Sequence, residues 1–180
     1  VVETDEEPGK IDVAKIPGLR AAFGKDGVLT AASSSKISDG AAATVLMSAD
    51  EAASRGLTPL ARIVAHATHA QAPEWFTTAP VDAIRNVLAK AGWSVEDVDL
   101  FEVNEAFACV AMAPMRELGI AHGKLNVNGG ACALGHPIGA SGARLVVTLL
   151  HALRQRGLKR GVASLCIGGG EATAIALEIV

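Results

Sequence analysis

From Asn128 to Arg144 the chain reads Asn-Gly-Gly-Ala-Cys-Ala-Leu-Gly-His-Pro-Ile-Gly-Ala-Ser-Gly-Ala-Arg, and so glycine-rich a run is poor core material. Each glycine gives up side-chain burial and raises the entropy cost of ordering. Such a cluster therefore marks unusual dihedrals or a backbone that something must approach closely. A single titratable imidazole, His136, sits in its middle. Pro137 directly after it suits the first turn of a helix, and the amphipathic run to Leu153 ends at Gly157. The order of these residues predicts His136 at a helix N-terminus. There the dipole disfavours imidazolium, which keeps the ring neutral near pH 7 and free to accept a proton. A hydrogen-bonded histidine in a helix-entry turn is the other reading of the same residues.

The rest of the chain supplies a core for that stretch to stand on. Half of the 180 residues are hydrophobic and aromatics are scarce, enough for one sizeable core of closely packed helices and strands. A net charge of −3 without a long basic run argues against nucleic acid as the main partner. No segment reaches the roughly 18 uninterrupted apolar residues that span a bilayer, and no signal peptide is visible, so a soluble protein is expected. Cys109, Cys132 and Cys166 are far apart and odd in number, with no CxxC pair and no histidine at zinc-finger spacing. They fit a reducing compartment, and the cytoplasm is the expected location.

Taken in order, the pattern alternates strands and helices. Val1 to Lys10 is acidic and aperiodic. Ile11 to Phe23 is a loop leading to a short buried segment, Gly24 to Gly27 a turn and Val28 to Thr30 strand-like. Ala31 to Lys36 carries only small and hydroxyl side chains before its lysine, suited to a close-approaching ligand or simply to solvent. Ala41 to Met47 reads as a strand buried on both faces, with helix as the alternative. A short helix over Ala49 to Arg55 and a strand over Leu60 to Thr68 follow. His66 and His69, three apart on a strand, would face opposite sides and share no metal.

Pro80 to Ala91 is an amphipathic helix and Val98 to Val103 a strand. Asn104 is either the N-cap of the next helix or a polar group at the carboxyl end of a strand, where open α/β folds contact ligands. Gly161 to Ile167, a glycine turn and Ala172 to Val180 make a terminal hairpin, so the whole is an α/β layered domain. Cys109 and Cys132 read as small hydrophobes. Cys166, at the mouth of a strand and followed by unobstructed glycine N–H groups, has the setting of a reactive thiol. On the residues alone it could be a nucleophile with His136 as its base.

Three motifs in order now carry a family resemblance: Asn104-Glu105-Ala106-Phe107-Ala108, then Asn126-Val127-Asn128-Gly129-Gly130 through Gly135-His136-Pro137-Ile138-Gly139-Ala140-Ser141-Gly142-Ala143-Arg144, then Leu165-Cys166-Ile167-Gly168-Gly169-Gly170. The chain resembles the C-terminal half of a thiolase, of the acetyl-CoA acetyltransferase branch. The resemblance implies a mixed five-stranded sheet between helices, with residues 1–23 the end of the family's loop domain and 24–180 its C-terminal domain. It implies ping-pong acyl transfer between coenzyme A thioesters, with no other cofactor and no metal. It further implies an N-terminal half that carries the acylated cysteine, a homo-oligomeric assembly (dimer or tetramer), and neither nucleic acid nor membrane as partner. No cysteine precedes Cys109, so the nucleophile is expected in that other half and this chain is expected to be inactive alone.

By the same resemblance His136 matches the histidine that activates the nucleophile and helps hold the thioester oxygen. Asn104 matches the asparagine that fixes a water in that first oxyanion hole. Cys166 matches the acid/base that handles the α-proton, which overrules its reading as nucleophile. The N–H of Gly168 matches a donor of the second oxyanion hole. Ser35, Ala31, Phe23, Ala106 and Phe107 match positions lining the coenzyme A path. Ser33-Ser34-Ser35 stands where many members have Asn-Ala-Ser, Ala21 replaces a common proline, and Glu171 stands where biosynthetic members often carry methionine.

Overall fold

Burial alternates along the last strand and is complete along the short strand Leu100–Val103, the signature of a sheet covered on both faces. The computed structural model describes Val1, Glu3, Thr4 and residues 9–180; the acidic opening thus lies outside the described residues at positions 2 and 5–8. Strands β1 (Ala61–Ala70), β2 (Leu100–Val103), β3 (Arg160–Cys166) and β4 (Glu171–Ile179) form one sheet in the order β1-β4-β3-β2. β4 runs antiparallel to both β1 and β3, making the expected hairpin with β3, and β2 runs parallel to β3.

Helix α1 (Ala49–Ser54) is a short turn capped by the Ser48 side chain, which accepts from Glu51 N–H. Helix α2 (Ala79–Ala91) lays Val81, Ile84, Val87 and Leu88 on one face of the sheet, against Phe101, Val162 and Ala174. Helix α3 (Ala108–Leu118) adds Val110 and Ala111 to that layer, and α4 (Ala131–Leu134) is a single turn. Helix α5 (Ser141–Arg156) covers the opposite face with Leu145, Leu149, Ala152 and Leu153, against Leu100, Ala163 and Leu177. The sheet is therefore mixed and lies between helices, as expected. His66 lies on the α5 side beside Leu145 and Val146, whereas His69 Nε2 is 3.6 Å from Asp82 of α2, so the two imidazoles do face apart. Among the described residues no helix is long and apolar enough to cross a membrane.

Several expectations are corrected. The described residues form four strands rather than five. Val28 to Thr30 and Ala41 to Met47 have no regular secondary structure, and Val45 and Leu46 are 86% and 72% exposed. A strand needs a neighbour to take its N–H and C=O groups, and among the described residues no strand of the sheet pairs with these segments; the β-type pairing upstream of β1 is confined to isolated bridges at Ser34 and Ile37. Val13–Gly18 is a 3₁₀ helix with no buried residue, and Phe23 is 63% exposed, so Ile11 to Phe23 leads to no buried segment. The turn after it is present, with Gly27 N–H donating to Gly24 O at 3.3 Å.

Because β2 and β3 are parallel, their carboxyl ends meet at one end of the sheet. Val103 pairs with Ser164, and the chain leaves β2 with Asn104 N–H donating to the Ser164 carbonyl at 2.9 Å. Cys166 ends β3 two positions further on.

Candidate active site

Asn104 is fully buried and is not a helix N-cap, since α3 starts at Ala108 with Phe107 in the cap position. Its side chain instead crosses to the glycine-rich stretch, where Nδ2 lies 3.2 Å from His136 Nε2. On the other side of the ring, His136 Nδ1 is 2.6 Å from Ser141 Oγ, and Ser141 Oγ donates to the Pro137 carbonyl at 3.1 Å. Arg144 Nη2 donates to Asn104 Oδ1 at 3.3 Å.

His136 stands five positions before Ser141, the first residue of α5, separated from it by a turn in which Ala140 N–H and Ser141 N–H both donate to Pro137 O. The imidazole is shifted toward neutrality, as the sequence suggested. The causes are burial first and the nearby Arg144 cation second, rather than a helix terminus.

A strap from Ser34 to Ser38 ties the pieces together. Ser35 donates to the Ala106 carbonyl through both N–H (3.1 Å) and Oγ (2.9 Å), and Ser34 forms a bridge with Phe107. Two residues on, Ile37 pairs with His136, whose N–H donates to Lys36 O at 2.8 Å. Gly135 (φ 90°) is required here, because a Cβ on it would overlap the Ser38 hydroxyl. The Phe107 ring packs edge-on against Phe23 (centroids 5.7 Å apart) and against Phe76 (6.4 Å). Ser35, Phe23, Ala106 and Phe107 thus meet in one patch. Ala31 opens the short 3₁₀ turn, held by a Thr30–Ser33 capping box, that feeds Ser34 and Ser35 into it.

Cys166 is buried at the end of β3, and burial pushes its thiol up to about 11. A thiol so placed is neutral at pH 7, a weak nucleophile and a competent proton donor. Gly168 lies two residues beyond, exposed in the turn between β3 and β4. Cys132 is inert for a related reason: burial and the Glu105 carboxylate push it up to about 12.

Sequence reasoning missed the residues that hold this arrangement. The Asn126 side chain pairs with Val103 as a strand neighbour would, accepting from its N–H at 2.8 Å and donating to its carbonyl at 2.9 Å. Glu105 accepts from Asn126 Nδ2 at 2.9 Å and from Cys132 N–H at 3.1 Å, which fixes the entry to the glycine stretch. A Cβ on Gly130 would overlap the Glu105 carboxylate. Ser141 and Glu102 are both buried, Glu102 beside Arg144 at 3.5 Å. The signals were present as polar residues inside motifs, but their partners lie dozens of residues away.

Glu102 gives a pH prediction. Burial raises its carboxyl from the ordinary 4.5 to about 7, outweighing the attraction of Arg144. Below the unfolded value the group is protonated in both states. Between that value and about 7 the folded chain holds a proton that the unfolded chain releases, so stability falls as pH rises and levels off above. Urea unfolding should show this decline, on the order of a few kcal/mol between about pH 5 and about pH 8. Glu102→Gln should flatten it; an unchanged slope in that variant would assign the decline elsewhere.

An imidazole shifted toward neutrality in the glycine-rich stretch, met by the amide that follows β2, and a buried thiol at the end of β3 are groups suited to acid/base chemistry. Residues 57–179 match the family model described as thiolase, C-terminal domain, and residues 1–50 match thiolase, N-terminal domain; the chain belongs to the thiolase family. It is 55% identical over 178 residues to a probable acetyl-CoA acetyltransferase of Dictyostelium discoideum, covering 99% of this chain and 43% of that protein. It is 56% identical over 160 residues to an acetyl-CoA acetyltransferase of Chromobacterium violaceum, covering 89% and 41%. The fold is similar to that of Bacillus anthracis acetyl-CoA acetyltransferase, with a TM-score of 0.92 at 47% identity over 95% of this chain and 43% of that one. The human mitochondrial 3-ketoacyl-CoA thiolase solved in complex with CoA gives a TM-score of 0.88 at 40% identity, with the same coverage. The chain thus spans less than half the length of the relatives it matches.

Proposed function

We propose that these residues form the C-terminal half of an acetyl-CoA C-acetyltransferase, which joins two molecules of acetyl-CoA to acetoacetyl-CoA and CoA, reversibly. The observation that carries the reading is the fixed His136, its Nε2 facing the Asn104 amide and its Nδ1 held by Ser141, at the sheet end that also presents Cys166. The names of the relatives, acetyl-CoA acetyltransferases at 50–56% identity, support the substrate.

In this reading a cysteine of the N-terminal half gives its proton to His136 and attacks the carbonyl of acetyl-CoA. Its S–acyl bond forms, the bond to the coenzyme's sulfur breaks, and CoA leaves with the proton. Asn104 and His136 stabilise the oxyanion of the incoming thioester, and the N–H of Gly168 that of the acyl-enzyme. In cleavage, the neutral Cys166 thiol supplies the proton that the departing α-carbon takes up; condensation is the reverse. Ser35, Ala31, Phe23, Ala106 and Phe107 line the path of the coenzyme. A cytoplasmic homo-oligomer completed by the N-terminal half is the assembly proposed, in keeping with the free thiols of all three cysteines.

The test supplies acetyl-CoA to the complete protein and measures acetoacetyl-CoA, then offers 3-ketoacyl-CoA esters of increasing length with CoA. Turnover of the four-carbon ester above the longer ones is expected. Faster cleavage of long chains would assign a broader degradative thiolase, and coenzyme binding without any turnover would assign a non-catalytic half.

A further inference from the structure

We propose that Arg144 is a positioning residue that sets the proton tautomer of His136 through the Asn104 amide. The inference goes one step beyond the reading of His136 as proton acceptor in acyl transfer, and rests on it for its consequence but not for its geometry.

A primary amide can turn either end toward a neighbour, and the neighbours decide which. A guanidinium can only donate. The Asn104 atom 3.3 Å from Arg144 Nη2 must therefore be the oxygen. That turns Nδ2 toward His136 Nε2 at 3.2 Å, and since the amide nitrogen can only donate, Nε2 must accept. The ring proton then belongs on Nδ1, where it is donated to Ser141 Oγ at 2.6 Å, and Ser141 passes its own on to Pro137 O at 3.1 Å. Every donor in this chain points one way, and its fixed end is a group that cannot accept. With the amide reversed, its NH₂ would face the guanidinium, donor against donor, and its oxygen would require a proton on Nε2. Nε2 would then already carry a proton, and no lone pair would be left to take the nucleophile's once the amide hydrogen bond gives way to it.

What holds Arg144 in place is Glu102, 1% exposed, with Oε2 3.5 Å from Arg144 Nη1. Neither carboxylate oxygen makes a hydrogen bond within the described structure, nor do Arg144 Nε and Nη1. A buried pair so incompletely satisfied is a poor source of stability, and well-packed apolar residues of similar size would serve the core as well or better. Its use lies in the one remaining guanidinium nitrogen, which grips Asn104.

The experiment compares Arg144→Lys, Arg144→Met and the double variant Glu102→Met/Arg144→Met in the complete protein. The double variant removes both buried charges together and is expected to fold with an undiminished Tm, even if Arg144→Met, which orphans Glu102, does not. Nitrogen-15 spectra of histidine-labelled protein read the tautomer directly, with His136 assigned by its loss in His136→Asn. The parent should show a proton on Nδ1 and none on Nε2. The double variant should show a mixture of tautomers and acetylate roughly 10- to 100-fold more slowly, the scale of a misplaced catalytic group. Arg144→Lys keeps a cationic donor and should recover most of both. A folded double variant with the parental tautomer and acetylation rate would overturn the proposal. If the parent transfers no acetyl group yet its tautomer still depends on Arg144, the acyl-transfer reading fails and the positioning role stands.

Discussion

Cys166→Ala in the complete protein is expected to accumulate acetylated enzyme while condensation falls by about 10²–10⁴-fold, the scale of a lost general acid/base. In the proposed mechanism the two half-reactions use different groups. Under that mechanism acylation would use the other cysteine and a neutral His136, whose ring burial and Arg144 hold below its ordinary value. Carbon–carbon bond formation needs a group to handle the α-proton, and Cys166 is the candidate. Close to it in sequence, from Val162 to Glu171, the only other titratable side chain is Glu171, beyond the glycine turn. His136→Ala should instead suppress acylation itself, because it would remove the proposed proton acceptor and part of the proposed oxyanion hole. Mass spectrometry after mixing each variant with acetyl-CoA separates them. An unacetylated Cys166→Ala protein, or wild-type label located on Cys166, would reverse the assignment.

A polypeptide limited to these 180 residues should show no detectable acetyl transfer, and adding a thiolase N-terminal half should restore it. The reason lies in the thiols themselves. Cys132 and Cys166 are pushed up to about 12 and about 11, so neither supplies appreciable thiolate at pH 7, and Cys109 sits half-buried on α3. Acetoacetyl-CoA cleavage by material shown by mass to contain only these residues would sink this expectation and make one of the three cysteines a nucleophile. The same experiment bears on the apolar side chains left in solvent: Ile37 is 96% exposed and Val45 86%. Covering them should make the reconstituted pair more resistant to aggregation than the chain alone.

Much of this protein is set by residues close together in sequence. The helices of both layers could be read because their apolar stripes repeat at helical spacing and each ends at a glycine, Gly92 (φ 68°) and Gly157 (φ 65°), whose left-handed backbone needs nothing from elsewhere. The terminal hairpin was legible for the same reason. His136, Asn104 and Cys166 stood out as chemistry-bearing types at element ends, and their motifs resembled those of one family.

What remained hidden depends on partners far along the chain. Ala41 to Met47 has the composition of a buried strand, yet a strand exists only where a neighbour takes its hydrogen bonds, and the sheet provides none there. Asn104 could as well have been a helix cap. The contact of its amide with an imidazole 32 positions away and a guanidinium 40 positions away decides that it is not. The neutrality of His136 was foreseen from a helix dipole but arises from burial and a cation, quantities that no local pattern encodes. Glu102 stands in an otherwise apolar strand and carried no signal of its partner. That it faces Arg144, and so bears on the proton of His136, is decided by the packing of α5 across the end of β2.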